Sequence, residues 1–173
     1  MEELKGNHEF GALSGIKVET IGDPGARTFE LLCYGNAGVA TLWLEKEQLY
    51  QFAVYIQQVC DEAEVKTYDD SSDDIPQVEP SGNEKIEFKV GKLALGHDPD
   101  TNSFLVLVHK SDVEERVPAD LSFWLTVDQA TKISRESLDV CAAGRPQCFL
   151  CGAPMDPEGH NCVRYNGHSE LKT

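Results

Sequence analysis

The sequence predicts an α+β fold made of two tandem βββα repeats, followed by a small zinc-binding tail. Three observations support this prediction: short strand patterns bounded by turn residues, a helical apolar pattern after each group of strands, and residues that recur along the chain. The chain has 173 residues, of which 40% are hydrophobic, and this is enough for one domain with its own core. We expect the repeats to form antiparallel sheet with pseudo-two-fold symmetry.

The recurring residues are the basis for the predicted repeat. The matched positions are Asp23-Pro24 with Asp98-Pro99, Phe29 with Phe104, Trp43 with Trp124, Gln48 with Gln129, and Cys60 with Cys141. Their spacing changes once, in the polar stretch 110–120 of the second copy. A single change of spacing, inside a loop, is what a duplicated unit with one insertion produces. The matched tryptophans are expected in the core.

Residues 1–60 form the first predicted repeat. Alternating apolar residues predict a strand that ends at Gly22-Asp23-Pro24-Gly25, a strong turn signal. Strands at 28–34 and 39–44 follow it. Apolar residues at helical spacing then predict a helix from Leu49 to Cys60.

Residues 61–84 form a predicted acidic linker between the repeats. The segment is rich in Asp and Glu, contains Ser and Pro, and has few large apolar residues, a composition typical of a flexible chain. The simpler interpretation is a solvated tether. The alternative is an acidic arm that binds a basic partner or folds back over a basic groove.

Residues 85–144 form the second predicted repeat. Its strands are expected at 87–95, 103–109 and 121–125. Thr126 and Gln129 form a capping box at the start of the helix that follows. Gly144 and Pro146 then end that helix.

Residues 145–173 form the tail, which carries the clearest chemical signal of the chain. Its candidate metal ligands are Cys148, Cys151, His160 and Cys162. Three thiolates and an imidazole suit a tetrahedral zinc ion, and four protein ligands leave no position for a catalytic water. We therefore expect one structural zinc per chain. The competing interpretation is a redox dithiol at Cys148 and Cys151, although such dithiols usually open a helix in a βαβ setting.

Charge and cysteine usage limit the partners and the compartment. The net charge of −15 opposes binding to nucleic acid and to anionic membrane surfaces. The amino terminus lacks the features of a signal peptide, and no apolar run is long enough for a membrane span. Cys33, Cys60 and Cys141 fall in strand and helix patterns, where cysteine acts as a small hydrophobe. A cytoplasmic protein is expected.

Other candidate site residues are weak, and no catalytic set is predicted. Arg27, in the first turn, and Arg145, at the start of the tail, are candidate contacts for an anion. His97 could act as a base with Asp98 or Asp100, although a histidine in a turn is more often simply exposed. The sequence also lacks the common phosphate-binding and hydrolase motifs.

Several segments together resemble a known family. They are Gly22-Asp23-Pro24-Gly25 with Arg27-Thr28-Phe29, Leu44-Glu45-Lys46-Glu47-Gln48, and the tail from Ala142 to Gly167 with its Cys148, Cys151, His160 and Cys162. The chain resembles the bacterial domain-of-unknown-function family numbered 3090. It departs from the family pattern at Gln147-Cys148-Phe149 and in its acidic linker. The resemblance implies a cytoplasmic bacterial protein whose tail is held by a metal ion. The gene neighbours of family members imply a phosphate-linked pathway.

Three hypotheses about function follow. The first is a non-enzymatic binding or adaptor module with a protein partner. The second is an enzyme or binding protein for a small phosphorylated or anionic metabolite, contacted by Arg27 and Arg145. The third is a thiol redox or zinc sensor.

Overall fold

The structure is a computed structural model that describes residues 6–23, 26–64, 82–112, 118–143 and 148–151, together with Met155, His160, Cys162 and Arg164. The elements are β1 (His8–Ala12), β2 (Gly15–Ile21), β3 (Thr28–Tyr34), β4 (Gly38–Leu44), α1 (Lys46–Glu62), β5 (Glu84–Asp98), β6 (Ser103–Lys110), β7 (Leu121–Thr126) and α2 (Val127–Ala142). The predicted α+β class is confirmed. Neither helix is long and apolar enough to cross a lipid bilayer.

The described strands form one mixed sheet in the order β1-β7-β6-β5-β4-β3-β2. Neighbouring strands are antiparallel except for two parallel pairs, β4 with β5 and β1 with β7. The prediction of a purely antiparallel sheet is therefore wrong. Because α1 follows β4 and carries the chain back along the sheet, β5 can start beside β4 and run parallel to it.

Strand β5 is long and changes partner along its length. Its first part pairs with β4 up to Lys89, and its second part pairs with β6 from Val90 onward. The register shifts at Gly91, where a Cβ atom would lie 2.6 Å from the carbonyl oxygen of Lys110. A glycine is required there because two backbones approach closely.

The two outermost strands of the sheet meet at a corner. Only Leu13 and Ser14 separate β1 from β2, although these strands are the two ends of the sheet order. The Leu13 N–H donates to the carbonyl of Trp124 at 3.0 Å, and the Ser14 N–H donates to that of Tyr34 at 2.8 Å. The sheet therefore curls until its edges come together at this point.

The core lies between one face of this curled sheet and both helices. Its fully buried side chains include Leu31, Leu42, Phe104, Phe123, Leu49 and Ile133. The helices contact each other where the Ser134 hydroxyl donates to the carbonyl of Ala53 at 2.7 Å. Trp43 and Trp124 lie on the opposite face and are only half-buried, so the prediction that they belong to the core is wrong.

Both helices begin with a hydrogen bond between a side chain and the backbone in the first turn. In α2, Thr126 Oγ1 accepts from the Gln129 N–H at 3.2 Å, and Gln129 Oε1 accepts from the Thr126 N–H at 3.0 Å. The predicted capping box is confirmed. In α1, the Glu45 N–H donates to Gln48 Oε1 at 2.9 Å.

The predicted repeat is only partly tested. From β2 onward the element order is βββα twice, but β1 was not predicted, and the two-fold symmetry of the repeats is not confirmed. The division into repeats, linker and tail stays a prediction. Residues 65–81 of the predicted linker and residues 144–147 lie outside the described residues.

Candidate metal centre

The first half of the centre is a tight turn at Cys148. This residue is 2% exposed. Burial raises the pKa of its thiol, but the N–H groups of Cys151 and Leu150 and the thiols of Cys151 and Cys162 hydrogen-bond to its sulfur and lower the pKa overall. Backbone N–H groups aimed at a sulfur are the arrangement that supports a metal-bound thiolate.

The second half is built around Cys162. Burial raises the pKa of the Cys162 thiol, as do the neighbouring sulfurs of Cys151 and Cys148, whereas the N–H of Arg164 lowers it. The side chain of Arg164 also reaches back to the first half, where Nη1 donates to the carbonyl of Leu150 at 3.4 Å. The two halves are therefore tied together by a contact that uses none of the four candidate ligands.

The four candidate ligand atoms converge on one point. The sulfurs of Cys148, Cys151 and Cys162 and a nitrogen of His160 all lie within 4.8 Å of one another. The Cys148 and Cys162 sulfurs are 3.8 Å apart, and the Cys151 sulfur is 3.3 Å from His160 Nε2. Around a tetrahedral zinc with Zn–S bonds of about 2.3 Å, two sulfurs lie about 3.8 Å apart. The cluster is close enough to bind a metal ion and is compatible with zinc.

The chemistry of the donor set fits that geometry. All three cysteines of the cluster are free thiols. His160 directs Nε2 to the cluster, while its Nδ1 is buried without a hydrogen-bond partner among the described residues. Soft sulfur donors with one imidazole select zinc over hard cations. What these residues can do chemically is hold such an ion and order the tail around it.

Comparison with known proteins identifies the family. The family model described as Protein of unknown function (DUF3090) matches residues 8–162. The chain belongs to this family. The match runs from the first residue of β1 to the last candidate ligand, Cys162, and confirms the resemblance drawn from the sequence. No curated protein and no solved structure matches the chain.

Two described tail residues of this DUF3090 chain are buried but lie outside the main cluster of core residues. They are Cys148 and Met155, which are 2% and 8% exposed. Phe149, between two candidate ligands, is 82% exposed. A turn held by its cysteines thus presents an aromatic ring to solvent.

Of the two candidate anion contacts, the structure describes Arg27, which lies at the end of α2. The Arg27 Nη1 donates to the carbonyl of Ala143 at 3.2 Å, just beyond the end of α2. Its Nε is buried and has no hydrogen-bond partner among the described residues. Arg145 lies outside the described residues.

The histidine of the second turn does not pair with either acid proposed for it. His97 Nε2 hydrogen-bonds to Asn102 Oδ1 at 3.1 Å, and its ring packs 5.0 Å from that of Phe104. The Asp98 carboxylate accepts instead from the Thr101 hydroxyl and the Asp100 N–H, each at 2.9 Å. These bonds lower the pKa of Asp98 and hold the turn.

Two residues of the centre were missed by sequence reasoning. No structural role was predicted for Phe149 or Arg164, although each lies within two residues of a candidate ligand in the family-like tail. Arg164 follows Cys162 by the same interval as Leu150 follows Cys148. This matched spacing could have indicated the role of Arg164, because the backbone N–H groups of Leu150 and Arg164 each donate to a cysteine sulfur.

Proposed function

We propose that this DUF3090 chain is a zinc-binding, non-enzymatic adaptor, in which one structural zinc orders the tail for contact with a protein partner. The observation that carries the proposal is the convergence of four soft ligand atoms within 4.8 Å. Four protein ligands complete a tetrahedral shell, so no position remains for the water that a catalytic zinc activates. The ion then contributes to folding rather than to a reaction.

The exposed ring of Phe149 supports the adaptor role. Phe149 is 82% exposed beside a turn that metal binding would make rigid. Rigid aromatic anchors of this kind are enriched in protein interfaces. The net charge of −15 favours a partner with a basic surface around the pocket that receives the ring.

The test combines metal content with partner capture. Elemental analysis should find one zinc per wild-type chain and none in Cys148→Ser. Wild type, Cys148→Ser, Phe149→Ala and Tyr50→Ala are then used as baits in the native host. Tyr50 is the matched control, because it is also an exposed aromatic residue, 51% exposed, but lies on α1. A stoichiometric partner should be kept by Tyr50→Ala and lost in the two tail variants.

Two results would oppose this proposal. Protein that contains no zinc, and whose three tail thiols are freely alkylated, would contradict the proposed structural zinc. A partner that binds Phe149→Ala and wild type equally tightly would show that the tail is not the interface.

A second candidate function is binding of a small phosphorylated or anionic metabolite near Arg27. The buried Nε of Arg27, which has no partner among the described residues, favours it. Thermal stabilisation by a phosphate-bearing metabolite, lost in Arg27→Ala, would support this function. A redox or zinc sensor, the remaining alternative, requires Cys148 and Cys151 to form a reversible disulfide while zinc is still available.

We further propose that the domain is a duplicated unit, with β1 and β2 together corresponding to the two parts of β5. Gln48 Nε2 donates to the carbonyls of Val90 at 3.0 Å and Gly91 at 3.2 Å, at the bend of β5. Its sequence match Gln129 donates to the carbonyl of Leu13 at 2.8 Å, at the corner between β1 and β2. The parallel pairs β4–β5 and β7–β1 correspond in the same way, which supports an approximate two-fold relation.

A further inference from the structure

A pocket of about 630 Å³ lies on the face of the sheet away from the core. Its floor is a row of direct cross-strand neighbours, Gly96 on β5, Leu105 on β6 and Trp124 on β7. The flanking residues Phe104 and Phe123 are buried in the core, so the floor residues point to the outer face. A volume of this size suits a small-molecule ligand.

Gly96 leaves the floor open. A Cβ atom at this position would meet nothing within 4 Å, so no neighbouring atom in the described structure requires a glycine there. Leu105 beside it is 8% exposed, and the half-buried Trp124 adds an aromatic surface. The base of the pocket is therefore apolar and aromatic.

The rim of the pocket is acidic. The Asp98 and Asp100 carboxylates line it, and no lysine or arginine is among the described residues around it. Ser122, only 6% exposed, adds a hydroxyl group that accepts from the Gly6 N–H at 3.2 Å. Carboxylates around an apolar base repel anions and attract cations.

The corresponding surface of the first half of the domain is closed by polar contacts. Its tryptophan, Trp43, donates from Nε1 to Glu87 at 2.8 Å. By strand register Glu30 and Glu19 take the places of Leu105 and Gly96, and Glu19 forms an ion pair with Lys17. Among the described residues, Trp124 Nε1 makes no hydrogen bond of the kind that Trp43 makes. In the described part of the chain, only the second half thus combines an open floor with a tryptophan N–H that makes no hydrogen bond.

We propose that this pocket binds a small organic cation, such as a quaternary or primary ammonium group on a short apolar body. The cation would lie against the Trp124 ring, where a cation–π contact and the rim carboxylates act in the same direction. Its apolar body would occupy the space above Gly96 and Leu105. This inference goes beyond the adaptor role and is independent of the zinc centre.

The test uses choline as the probe and its neutral isostere, 3,3-dimethylbutan-1-ol, as the control. The two indole N–H signals of ¹⁵N-labelled full-length protein are assigned with Trp43→Phe and followed at constant ionic strength. Choline should shift the Trp124 signal saturably and leave the Trp43 signal in place. The neutral alcohol should bind at least about tenfold more weakly, since loss of the charge removes the cation–π contact and the attraction to the carboxylates.

Matched substitutions locate the binding. Gly96→Leu should abolish the choline-dependent shift, because its side chain enters the open space without a backbone clash. Glu19→Leu, at the corresponding register position of the first half, should leave the shift unchanged. Asp100→Asn should weaken choline binding by a smaller factor than Gly96→Leu.

Three results would overturn the proposal. They are no saturable shift of the Trp124 signal, equal responses to choline and the neutral alcohol, and a choline response that survives Gly96→Leu in a folded variant. Folding of each variant is checked by its dispersed amide spectrum, so a negative result cannot be assigned to unfolding.

Discussion

At the scale of single residues, the six cysteines fall into two chemically distinct groups. Cys33, Cys60 and Cys141 are buried in the core, and this burial raises the pKa of each thiol. Cys148, Cys151 and Cys162 share the metal centre. Since alkylating reagents attack accessible thiolates, the two groups should react under different conditions.

Mass spectrometry after alkylation tests this division. Zinc-loaded native protein should resist modification, chelation should expose the three tail cysteines, and the three core cysteines should react only after unfolding. Modification of Cys33 in the folded, chelated protein would contradict the assignment. Omitting the chelator is the internal control.

Glu30 should make stability depend on pH. It is 8% exposed, and burial, followed by the nearby carboxylate of Glu19, raises its pKa above the ordinary value of 4.5. A raised folded-state pKa means that the native state favours the protonated form, so this contribution is complete below the ordinary value and is lost as pH rises through the folded pKa. At neutral pH the ionised Glu30 therefore costs stability.

Glu30→Gln should consequently raise the urea midpoint at about pH 7, with the difference from wild type shrinking towards about pH 4. Gln keeps the size of the side chain and can still donate to Glu19. Urea denaturation at both pH values measures the effect. Equal midpoints at neutral pH, or a gap that widens on acidification, would count against the raised pKa.

At the scale of elements, local sequence patterns predicted the helices and strands better than they predicted which strands pair. Both helices and six strands follow from alternation, helical spacing and turn residues, which act between near neighbours in sequence. Strand β1 was missed because Phe10 is its only buried residue and Gly11 has a φ of +63°, so no alternating pattern exists. The parallel pairing of β4 with β5 was missed because it depends on where α1 packs.

The two matched glutamines should have unequal effects on stability. Gln129 is 7% exposed and bonds the Leu13 carbonyl, so Gln129→Ala leaves a buried acceptor unpaired and should cost about 1–3 kcal/mol. Gln48 is more exposed and water can replace it, so Gln48→Ala should cost less. The exposed Gln57→Ala is the control and should stay within about 0.5 kcal/mol of wild type.

Urea unfolding of the three variants measures these differences. A cost for Gln129→Ala no larger than that for Gln57→Ala would show that the β1–β2 corner does not depend on this hydrogen bond. A larger cost for Gln48→Ala than for Gln129→Ala would contradict the ranking by burial.

At the scale of the whole molecule, the tail should be separable from the domain. Its buried residues Cys148 and Met155 do not belong to the main core cluster. Cys148→Ser should therefore abolish metal binding and disorder the tail while the sheet and helices remain folded. Amide spectra should lose signals only beyond residue 143, and loss of signals throughout the domain would show that the tail is part of the core.

The sequence predicted the metal centre better than it predicted the other features of the surface. The four candidate ligands lie within a short stretch of chain, so their spacing limits how far apart they can be. The outer pocket joins Glu9, Gly96 and Trp124 from three distant segments, and only the curled sheet brings them together. No local pattern could indicate such a site.

The central claim is that Cys148, Cys151, His160 and Cys162 hold a structural zinc, and X-ray absorption at the zinc edge of purified protein tests it most directly. We expect one zinc per chain with three sulfur neighbours at about 2.3 Å and one nitrogen neighbour at about 2.0 Å. Protein without zinc, or a zinc with an oxygen neighbour in place of one of these ligands, would contradict it.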